Sequence, residues 1–208
     1  MPRADKAFSE RVETHCNQLN IQTNADAIEM LVDYAEELIR WNRRINLTGA
    51  KTVGQFIDGP LFDALTLVPV YAEKPSLVDI GSGGGLPGIP LMILKAPPEV
   101  TLVEPRSKRA TFLRHIIAKL GLCLHVEESR IEALSPRKWA AGVAQAVFEP
   151  SMWIRFATQY VAPHGYIYVL SSSALEGIPS GIEIDATAER QSPQNARRYS
   201  YRLIVHMK

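Results

Sequence analysis

Two acidic residues and a run of glycines are the parts of this sequence best suited to chemistry. The stretch from Leu77 to Pro90 begins as a short apolar segment that carries Asp79 and then breaks into Gly81, Gly83, Gly84 and Gly85. This pattern predicts a strand, a tight turn and the start of a helix, the arrangement that holds a nucleotide-like cofactor at the carboxyl end of a strand. Glycine suits such a turn because the backbone takes positive φ angles and because a Cβ would obstruct the ligand.

A second acid, Glu104, ends the next apolar segment about twenty residues after the turn, where a ribose-binding carboxylate would lie. Asp79 is expected either to order the loop or to face an ammonium group of the ligand. Pro87 and Pro90 remove N–H groups at the start of the helix, where a dinucleotide needs them for its pyrophosphate. The sequence therefore favours S-adenosylmethionine, which has an adenosine but no phosphate, over NAD(P). A βα turn without any ligand is the alternative.

The elements that must position these residues alternate between strand and helix. The predicted strands cover residues 77–80, 100–104, 123–127, 144–148, 166–170 and 199–206, with a turn at Pro163-His-Gly before the fifth. Helices are predicted within 4–19, over 28–39 with Thr23 or Asn24 as its cap, over 55–71, 86–95, 131–134 and 151–160, and from 107 to a stop at Gly121. The alternation predicts an α/β fold with a parallel, doubly wound sheet. We expect residues 1–72 to form a helical extension and residues 73–208 the cofactor-binding domain.

Composition sets outer limits on the function. The chain has 208 residues, of which 46% are hydrophobic and 22% charged, as in an ordinary globular protein. No apolar run is long enough to span a bilayer, and the first residues do not resemble a secretory signal. The two cysteines are far apart and the five histidines lack metal-ligand spacing. We expect a cytoplasmic monomer with no bound metal and no membrane contact.

A net charge of only +1 does not by itself indicate nucleic-acid binding. Such a role would need local basic patches, and solvated helix faces are the more common explanation for any one of them. Four clusters qualify: Arg40, Arg43 and Arg44; Arg106, Lys108, Arg109 and Arg114; Arg137 and Lys138; Arg197, Arg198 and Arg202.

Four segments together resemble one known family. Residues 77–91 (LVDIGSGGGLPGIPL) resemble motif I of the bacterial GidB/RsmG family, methyltransferases of small-subunit ribosomal RNA. Residues 41–48 (WNRRINLT) are similar to its W-(x)3-INLT element, and residues 102–113 to its acidic strand end followed by K-R-(x)2-F-L. Residues 129–134 (SRIEAL) resemble its G-R-x-E-E-L segment. The resemblance covers residues 25 to 135 and fades after that.

The resemblance implies a class I methyltransferase fold with an N-terminal helical extension. The implied reaction is methyl transfer from S-adenosylmethionine to N7 of a guanine in 16S ribosomal RNA, free or within the small ribosomal subunit. The residues that it implies for the cofactor are Asp79, Gly81, Gly83, Gly85 and Leu86, with Glu104 at the ribose and Arg130, Ile131 and Glu132 beside the adenine. Asn46 and Arg130 are expected to face the substrate.

The chain departs from the family pattern mainly on the substrate side. Pro60 stands where a histidine is expected, Pro105 follows the acid, and residues 171–173 are serines where Lys-Gly is usual. At the end of the fourth predicted strand, residues 147–151 offer no counterpart to the arginine of the T/S-(A)-R-A element. We favour a divergent enzyme in which Arg155 or a C-terminal arginine compensates. The alternatives are a small-molecule methyltransferase and a cofactor-binding protein that assists ribosome assembly without methyl transfer.

Overall fold

One sheet of seven strands forms the centre of the chain. The computed structural model describes residues 5–206. Its strands are β1 (Leu77–Ile80), β2 (Val100–Val103), β3 (His125–Glu127), β4 (Trp139–Val143), β5 (Val161–Ser171), β6 (Ile182–Gln191) and β7 (Arg197–Val205). Their order in the sheet is β3-β2-β1-β4-β5-β7-β6. Strands β1 to β5 are parallel, and β7 is antiparallel to both of its neighbours, so the predicted doubly wound, mostly parallel class is confirmed.

The helices are α1 (Lys6–Gln18), α2 (Ala25–Asn42), α3 (Val53–Phe56), α4 (Phe62–Leu65), α5 (Gly88–Lys95), α6 (Ser107–Leu120) and α7 (Pro150–Ala157), with short 3-10 turns at Val68–Val70 and Ile131–Leu134. Asn24, one of the two predicted caps of α2, accepts a hydrogen bond from the Ala27 N–H at 2.9 Å. The predicted stop of α6 is also confirmed, because Gly121 has φ +64°. Within residues 5–206, no helix is long and apolar enough to cross a bilayer.

The helices that precede β1 share a hydrophobic core with α5 and α6. This core combines buried side chains of the extension with those of the sheet and its helices, among them Leu31, Leu38, Phe56, Leu91, Leu102 and Phe112. A second core lies beneath α7 and includes Val78, Trp153, Ile154 and Ile167. Burial of each such side chain contributes roughly 1.5–3 kcal/mol, so the extension is bound to the sheet mainly by apolar packing.

The fourth predicted strand, over residues 144–148, is wrong. The strand is Trp139–Val143, whose centre consists of small residues with a weak preference for strands. Small size is required there because a Cβ on Gly142 would lie 2.9 Å from a methyl carbon of Val161 on β5. Residues 144–148 form a loop instead, in which Ala146 has φ +56°.

Two further predictions near the carboxyl terminus need correction. The expected turn at residues 163–165 lies inside β5, where the pairing with β4 shifts register and His164 has φ +61°. Strand β6 was not predicted at all, although residues 182–189 alternate between apolar and polar types; the alternation was overlooked because Ala186 and Ala188 are small and only Ile182 and Ala188 are buried. It pairs only with β7, and an edge strand with a half-exposed surface needs little apolar patterning.

The third predicted helix, over residues 55–71, is broken into short pieces. A π-helical turn at Ile57–Leu61 joins α3 to α4 and contains Pro60. Proline has no N–H to donate to a regular helix, so a wider turn is a natural accommodation. This turn brings Pro60 to the rim of the cleft described below.

Candidate cofactor and substrate site

The turn after β1 has the backbone geometry that its glycines predicted. Gly81, Gly83 and Gly85 have φ angles of +74°, +56° and +97°, in the region that L side chains rarely adopt. The N–H groups of Gly81 and Ser82 donate to the Val103 carbonyl at the end of β2, at 2.8 and 3.1 Å. A Cβ on Gly85 would lie 2.3 Å from the Ile89 side chain, so glycine is also required there by packing.

The two predicted acids are buried behind this turn. Glu104 accepts hydrogen bonds from the Gly83 N–H at 3.0 Å and from the Arg106 N–H at 2.8 Å. Asp79 is completely buried, and its Oδ2 accepts from the Gly88 N–H at 3.0 Å, which fixes the start of α5 against β1. Its Oδ1 has no hydrogen-bond partner among the described residues. Burial raises the pKa of Asp79 well above its ordinary value, and the negative charge of Glu104 raises it further.

A cleft of about 500 Å³ opens in front of the glycine turn. Its walls come from four places: the turn itself, the loop after α2, the Pro60 turn, and the loop between β4 and α7. It lies where the strand order reverses beside β1, the usual position of a ligand in such sheets. A larger hollow of about 960 Å³ lies away from the turn, between α1 and the start of α2, and contains none of the predicted site residues.

The loop after α2 is shaped by a single side chain. Asn42 accepts from the N–H groups of Leu47 and Thr48 at 2.8 and 3.0 Å, and donates to the carbonyls of Thr48 and Ala50 at 3.0 Å each. These bonds satisfy the backbone of a sharp loop that has no regular structure. They place Asn46 at the edge of the cleft.

The structure brings together some of the predicted site residues and leaves others apart. Asn46, Gly81, Gly83 and Leu86 line the cleft, while Asp79, Gly85 and Glu104 support the turn from behind. The loop after β3 does not line it: Ile131 is buried, and Arg130 and Glu132 are exposed beyond the ends of β2 and β3. The roles of all these residues remain predictions.

Arg109 on α6 is a cleft residue whose position the sequence did not reveal. Its Nη2 donates to the Asn46 carbonyl at 2.6 Å, and its Nη1 lies 3.6 Å from the position that a Cβ on Gly83 would occupy. Among the cleft residues that the structure describes, it is the only one with an ionisable side chain. Two features of the sequence could have indicated Arg109 as a site residue: it belongs to a basic cluster, and it lies in the family-like K-R-(x)2-F-L segment.

One of the departures from the family pattern, Pro60, contacts the segment that follows β4. The sequence placed the family arginine within residues 147–151; because β4 ends earlier, at Val143, the segment that directly follows the strand is instead Ala144-Gln145-Ala146, which has a glutamine and no arginine. The Gln145 Nε2 donates to the Pro60 carbonyl at 3.0 Å, and its Oε1 has no partner among the described residues. This wall of the cleft is therefore uncharged.

The arginines proposed as substitutes for the missing arginine do not line the cleft. Those of β7 form ion pairs elsewhere: Arg197 with Glu189, Arg198 with Asp63, and Arg202 with Asp185. Arg155 is exposed on α7 and is likewise outside the cleft lining. Among the described residues that line the cleft, Arg109 is the one that carries a positive charge. Residues 5–206 contain no group of three or more His, Cys, Asp and Glu side chains arranged to hold a metal ion.

A sheet of this order, with a glycine turn after its first strand and an acid after its second, defines the chain as a protein of the class I methyltransferase fold. It is similar to the ribosomal protein L11 methylase of Lactobacillus delbrueckii, with a TM-score of 0.54 and 15% identity over 71% of this chain and 79% of that one. The GidB family, described as rRNA small subunit methyltransferase G, matches residues 27–202. The chain therefore belongs to the GidB family.

Individual members support this membership over most of their length. The ribosomal RNA small subunit methyltransferase G of Halorhodospira halophila is 34% identical, over 79% of this chain and 79% of that protein. The protein of the same name from Chromobacterium violaceum is 31% identical, over 90% of this chain and 93% of its own length. The match extends past residue 135, where the sequence resemblance had faded.

Proposed function

We propose that this protein transfers a methyl group from S-adenosylmethionine to N7 of a guanine in 16S ribosomal RNA. The observation that carries the proposal is family membership over residues 27–202 together with an intact glycine turn at the mouth of a cleft. Within the proposal, the cytoplasm is the expected location because ribosomal RNA is made and assembled there. The split at residue 72 and the monomeric state are parts of the same proposal.

The residues of the cleft fit this cofactor. A volume of about 500 Å³ lies within the usual range for small-molecule sites, and the positive φ of Gly81 and Gly83 leaves the backbone open to a ligand. When bound, S-adenosylmethionine supplies an activated methyl group on a positively charged sulfur. We assign its contacts to the residues predicted from the sequence: Asp79, Gly81, Gly83, Gly85, Leu86 and Glu104 at the glycine turn and, on the adenine side and outside the cleft lining, Arg130, Ile131 and Glu132.

The protein's own contribution to the reaction is mainly placement. Guanine N7 carries a lone pair and has no proton to lose, so no general base is required of the site. Asn46 and Arg130 are assigned to the substrate side, and the cleft walls hold the base in line with the methyl donor. A base within a folded RNA must be turned out of its stack to enter such a cleft. The lack of a histidine or lysine in the cleft lining agrees with this chemistry.

The charge around the cleft suits a polyanionic substrate although the net charge of the chain is only +1. Exposed cations occur on the loop after α2 and at the start of α6, namely Arg43, Arg44, Lys51, Arg106 and Lys108. In the part of the chain that the structure describes, none of these five takes part in an ion pair. Cations without an acidic partner are available to phosphates, the main source of affinity for RNA.

One observation favours a second candidate function. The uncharged wall formed by Gln145 and Pro60 replaces residues that the family pattern would make basic. A methyltransferase with a small, uncharged substrate would need no cation there. This candidate predicts methyl transfer in the absence of RNA, which separates it from the first.

The deciding experiment measures methyl transfer from radiolabelled S-adenosylmethionine to small ribosomal subunits and to naked 16S RNA from a strain that lacks this protein. We expect label in the RNA, at a site that is located by chemical cleavage of the chain at 7-methylguanine. Comparison of the two substrates distinguishes free RNA from the assembled subunit. Absence of label, with a protein shown to bind the cofactor, would favour the second candidate.

A matched pair of glycine variants tests the cofactor site itself. Gly83→Asp should weaken cofactor binding at least about a hundredfold, because a side chain at this position lies beside the Arg109 guanidinium, where the new carboxylate fills part of the cleft and pairs with its cation. Gly121→Asp is the control, since Gly121 also has a positive φ but caps α6 away from the cleft. Isothermal titration with S-adenosylhomocysteine measures both. If the two variants bound S-adenosylhomocysteine with equal affinity, the glycine turn would not be part of the cofactor site.

A further inference from the structure

We propose that Arg109 is the residue that binds the carboxylate of the cofactor's amino-acid part. The inference deepens the proposed function and rests on it, since it assigns one group of S-adenosylmethionine to one side chain. Among the described residues, the lining of the cleft contains one cation, Arg109, and no anion.

Arg109 is held in place but is not neutralised. It is half-buried, and it donates one hydrogen bond, from Nη2 to the Asn46 carbonyl at 2.6 Å. Within residues 5–206 it has no ion-pair partner. A guanidinium carries further N–H donors in a planar fork that matches a carboxylate. A partly desolvated charge without a partner favours binding of an anion.

The position of Arg109 separates it from the cations that suit RNA. Its Nη1 lies 3.6 Å from the Cβ position of Gly83, so the guanidinium is next to the glycine turn rather than on the outer surface. Arg43, Arg44, Arg106 and Lys108, in contrast, are exposed around the cleft. S-adenosylmethionine has one anionic group, its carboxylate, and two cationic ones. A lone arginine beside the turn therefore selects the carboxylate end.

The neutrality of Gln145 makes this assignment more specific. Gln145 donates to the Pro60 carbonyl, and apart from Arg109 no described residue of the cleft lining carries a charge. The fixed contact of Arg109 with Asn46 also gives the guanidinium a defined orientation, because the Asn46 loop is itself held by Asn42. A carboxylate is then bound by a pre-positioned group, which reduces the entropy lost on binding.

The test compares two ligands that differ in the amino-acid part. S-adenosylhomocysteine has the carboxylate, and 5′-methylthioadenosine lacks it. Isothermal titration of Arg109→Gln should show about tenfold to hundredfold weaker binding of S-adenosylhomocysteine, the usual size of a lost charge-assisted hydrogen bond. The affinity for 5′-methylthioadenosine should not change. Arg109→Lys should recover part of the loss, and Arg155→Gln, an exposed arginine outside the cleft, should match the wild type for both ligands.

Each other outcome overturns the proposal in a recognisable way. Equal weakening of both ligands would make Arg109 a structural support of the Asn46 loop, and thermal unfolding of the variant would show whether the fold is retained. Unchanged affinities, with a higher KM for RNA and a weaker salt dependence, would assign Arg109 to a phosphate. Failure of the wild-type protein to bind either ligand would instead reject the proposed function.

Discussion

At the scale of single residues, the two acids behind the glycine turn have different tasks. Glu104 accepts hydrogen bonds from two backbone N–H groups and so fixes the turn from behind. Asp79 accepts only one, from Gly88, and burial with the nearby charge of Glu104 raises its pKa. Asp79 therefore keeps its proton to a higher pH than a free carboxyl group does. Its hydrogen bond to Gly88 holds the end of the glycine loop against β1.

The uncharged wall at Gln145 leads to a prediction for RNA binding. Gln145→Arg adds a cation inside the cleft while keeping a donor for the Pro60 carbonyl. If RNA enters the cleft, the variant should bind it more tightly, and log Kd should depend more steeply on log salt, by about 0.7 for each single-strand phosphate contacted. Fluorescence titration of an RNA hairpin at several salt concentrations measures the slope.

Gln159→Arg is the matched control for this change, because Gln159 is exposed and lies outside the cleft. It adds the same charge to the whole protein. A slope that increases equally in both variants would mean that RNA responds to net charge alone, and would leave the cleft without a demonstrated RNA contact.

Residue-level prediction succeeded where the signal was local in sequence. The glycines, Asp79 and Glu104 lie in two short segments whose types and spacing define a cofactor turn. Arg109 and Gln145 were not recognisable in this way. Each belongs to the cleft through a contact with a segment 63 or 85 residues away in sequence, the Asn46 carbonyl and the Pro60 carbonyl. Such contacts depend on how the extension packs, which one sequence does not specify.

At the scale of secondary-structure elements, a buried carboxylate joins the extension to the helix that carries Arg109. Glu37 of α2 accepts from Lys119 at 2.8 Å and contacts His115 at 3.0 Å, both on α6, and it also accepts from Trp41 at 3.0 Å. Burial by itself would raise the pKa of Glu37, but the hydrogen bonds from Lys119 and His115 outweigh it and lower the pKa to about 2. The charged form of Glu37 is therefore stabilised in the folded protein.

This lowered pKa predicts how stability depends on pH. The ordinary pKa is 4.5, so the contribution of Glu37 is complete above that value and is lost as the pH falls towards 2. A shift of this size corresponds to roughly 3 kcal/mol as an upper limit. Glu37→Gln should lower the free energy of unfolding at pH 7, and the difference from wild type should shrink between pH 5 and pH 3. Urea unfolding, followed by tryptophan fluorescence, measures the difference at each pH.

The neighbouring variant Glu36→Gln provides the comparison, because Glu36 is on the same helix and forms no ion pair within the described residues. It should have little effect at any pH. A deficit in Glu37→Gln that stayed constant with pH would mean that the side chain acts through shape rather than charge.

The elements predicted well were those with a clear apolar pattern. β1 matches its predicted bounds because its four residues are all buried, and α6 ends at a glycine with positive φ. β4 was misplaced because its small residues, Ala140, Ala141 and Gly142, resemble a loop until the close approach of β5 is known. β6 was missed although its residues alternate, because two of its four apolar positions are alanines, which give a weak strand signal.

At the scale of the whole molecule, the extension is fastened to the sheet on two sides. On one side, Glu37 contacts α6. On the other, Asp63 accepts from Arg198 of β7 at 2.6 Å, and burial still raises the pKa of Asp63 above its ordinary value. Ser200 of the same strand donates to Thr66 at 2.7 Å. The extension thus contacts both the cofactor half and the antiparallel end of the sheet.

The extension also forms part of the cofactor site. The Tyr34 hydroxyl donates to the Gly84 carbonyl at 2.8 Å, and a Cβ on Gly84 would lie 3.0 Å from a methyl carbon of Leu38. Leu47, Phe56 and Pro60 line the cleft. The glycine turn is therefore held from below by the sheet and from the side by the extension.

This arrangement predicts that a fragment of residues 73–208 cannot replace the whole chain. Without the extension, the core side chains Leu91, Leu102 and Phe112 lose the apolar partners that cover them, and the glycine turn loses its contact with Tyr34. We expect the fragment to unfold without a cooperative transition, and to bind S-adenosylhomocysteine at least about a hundredfold more weakly than the full chain, since the missing wall contributes several contacts. Circular dichroism during heating and isothermal titration measure the two properties.

Adding a separate peptide of residues 1–72 should restore part of the binding if the extension acts by packing. A fragment that melts cooperatively and binds with the affinity of the full chain would instead make residues 73–208 an independent domain, and the role of the extension would then be limited to the RNA substrate.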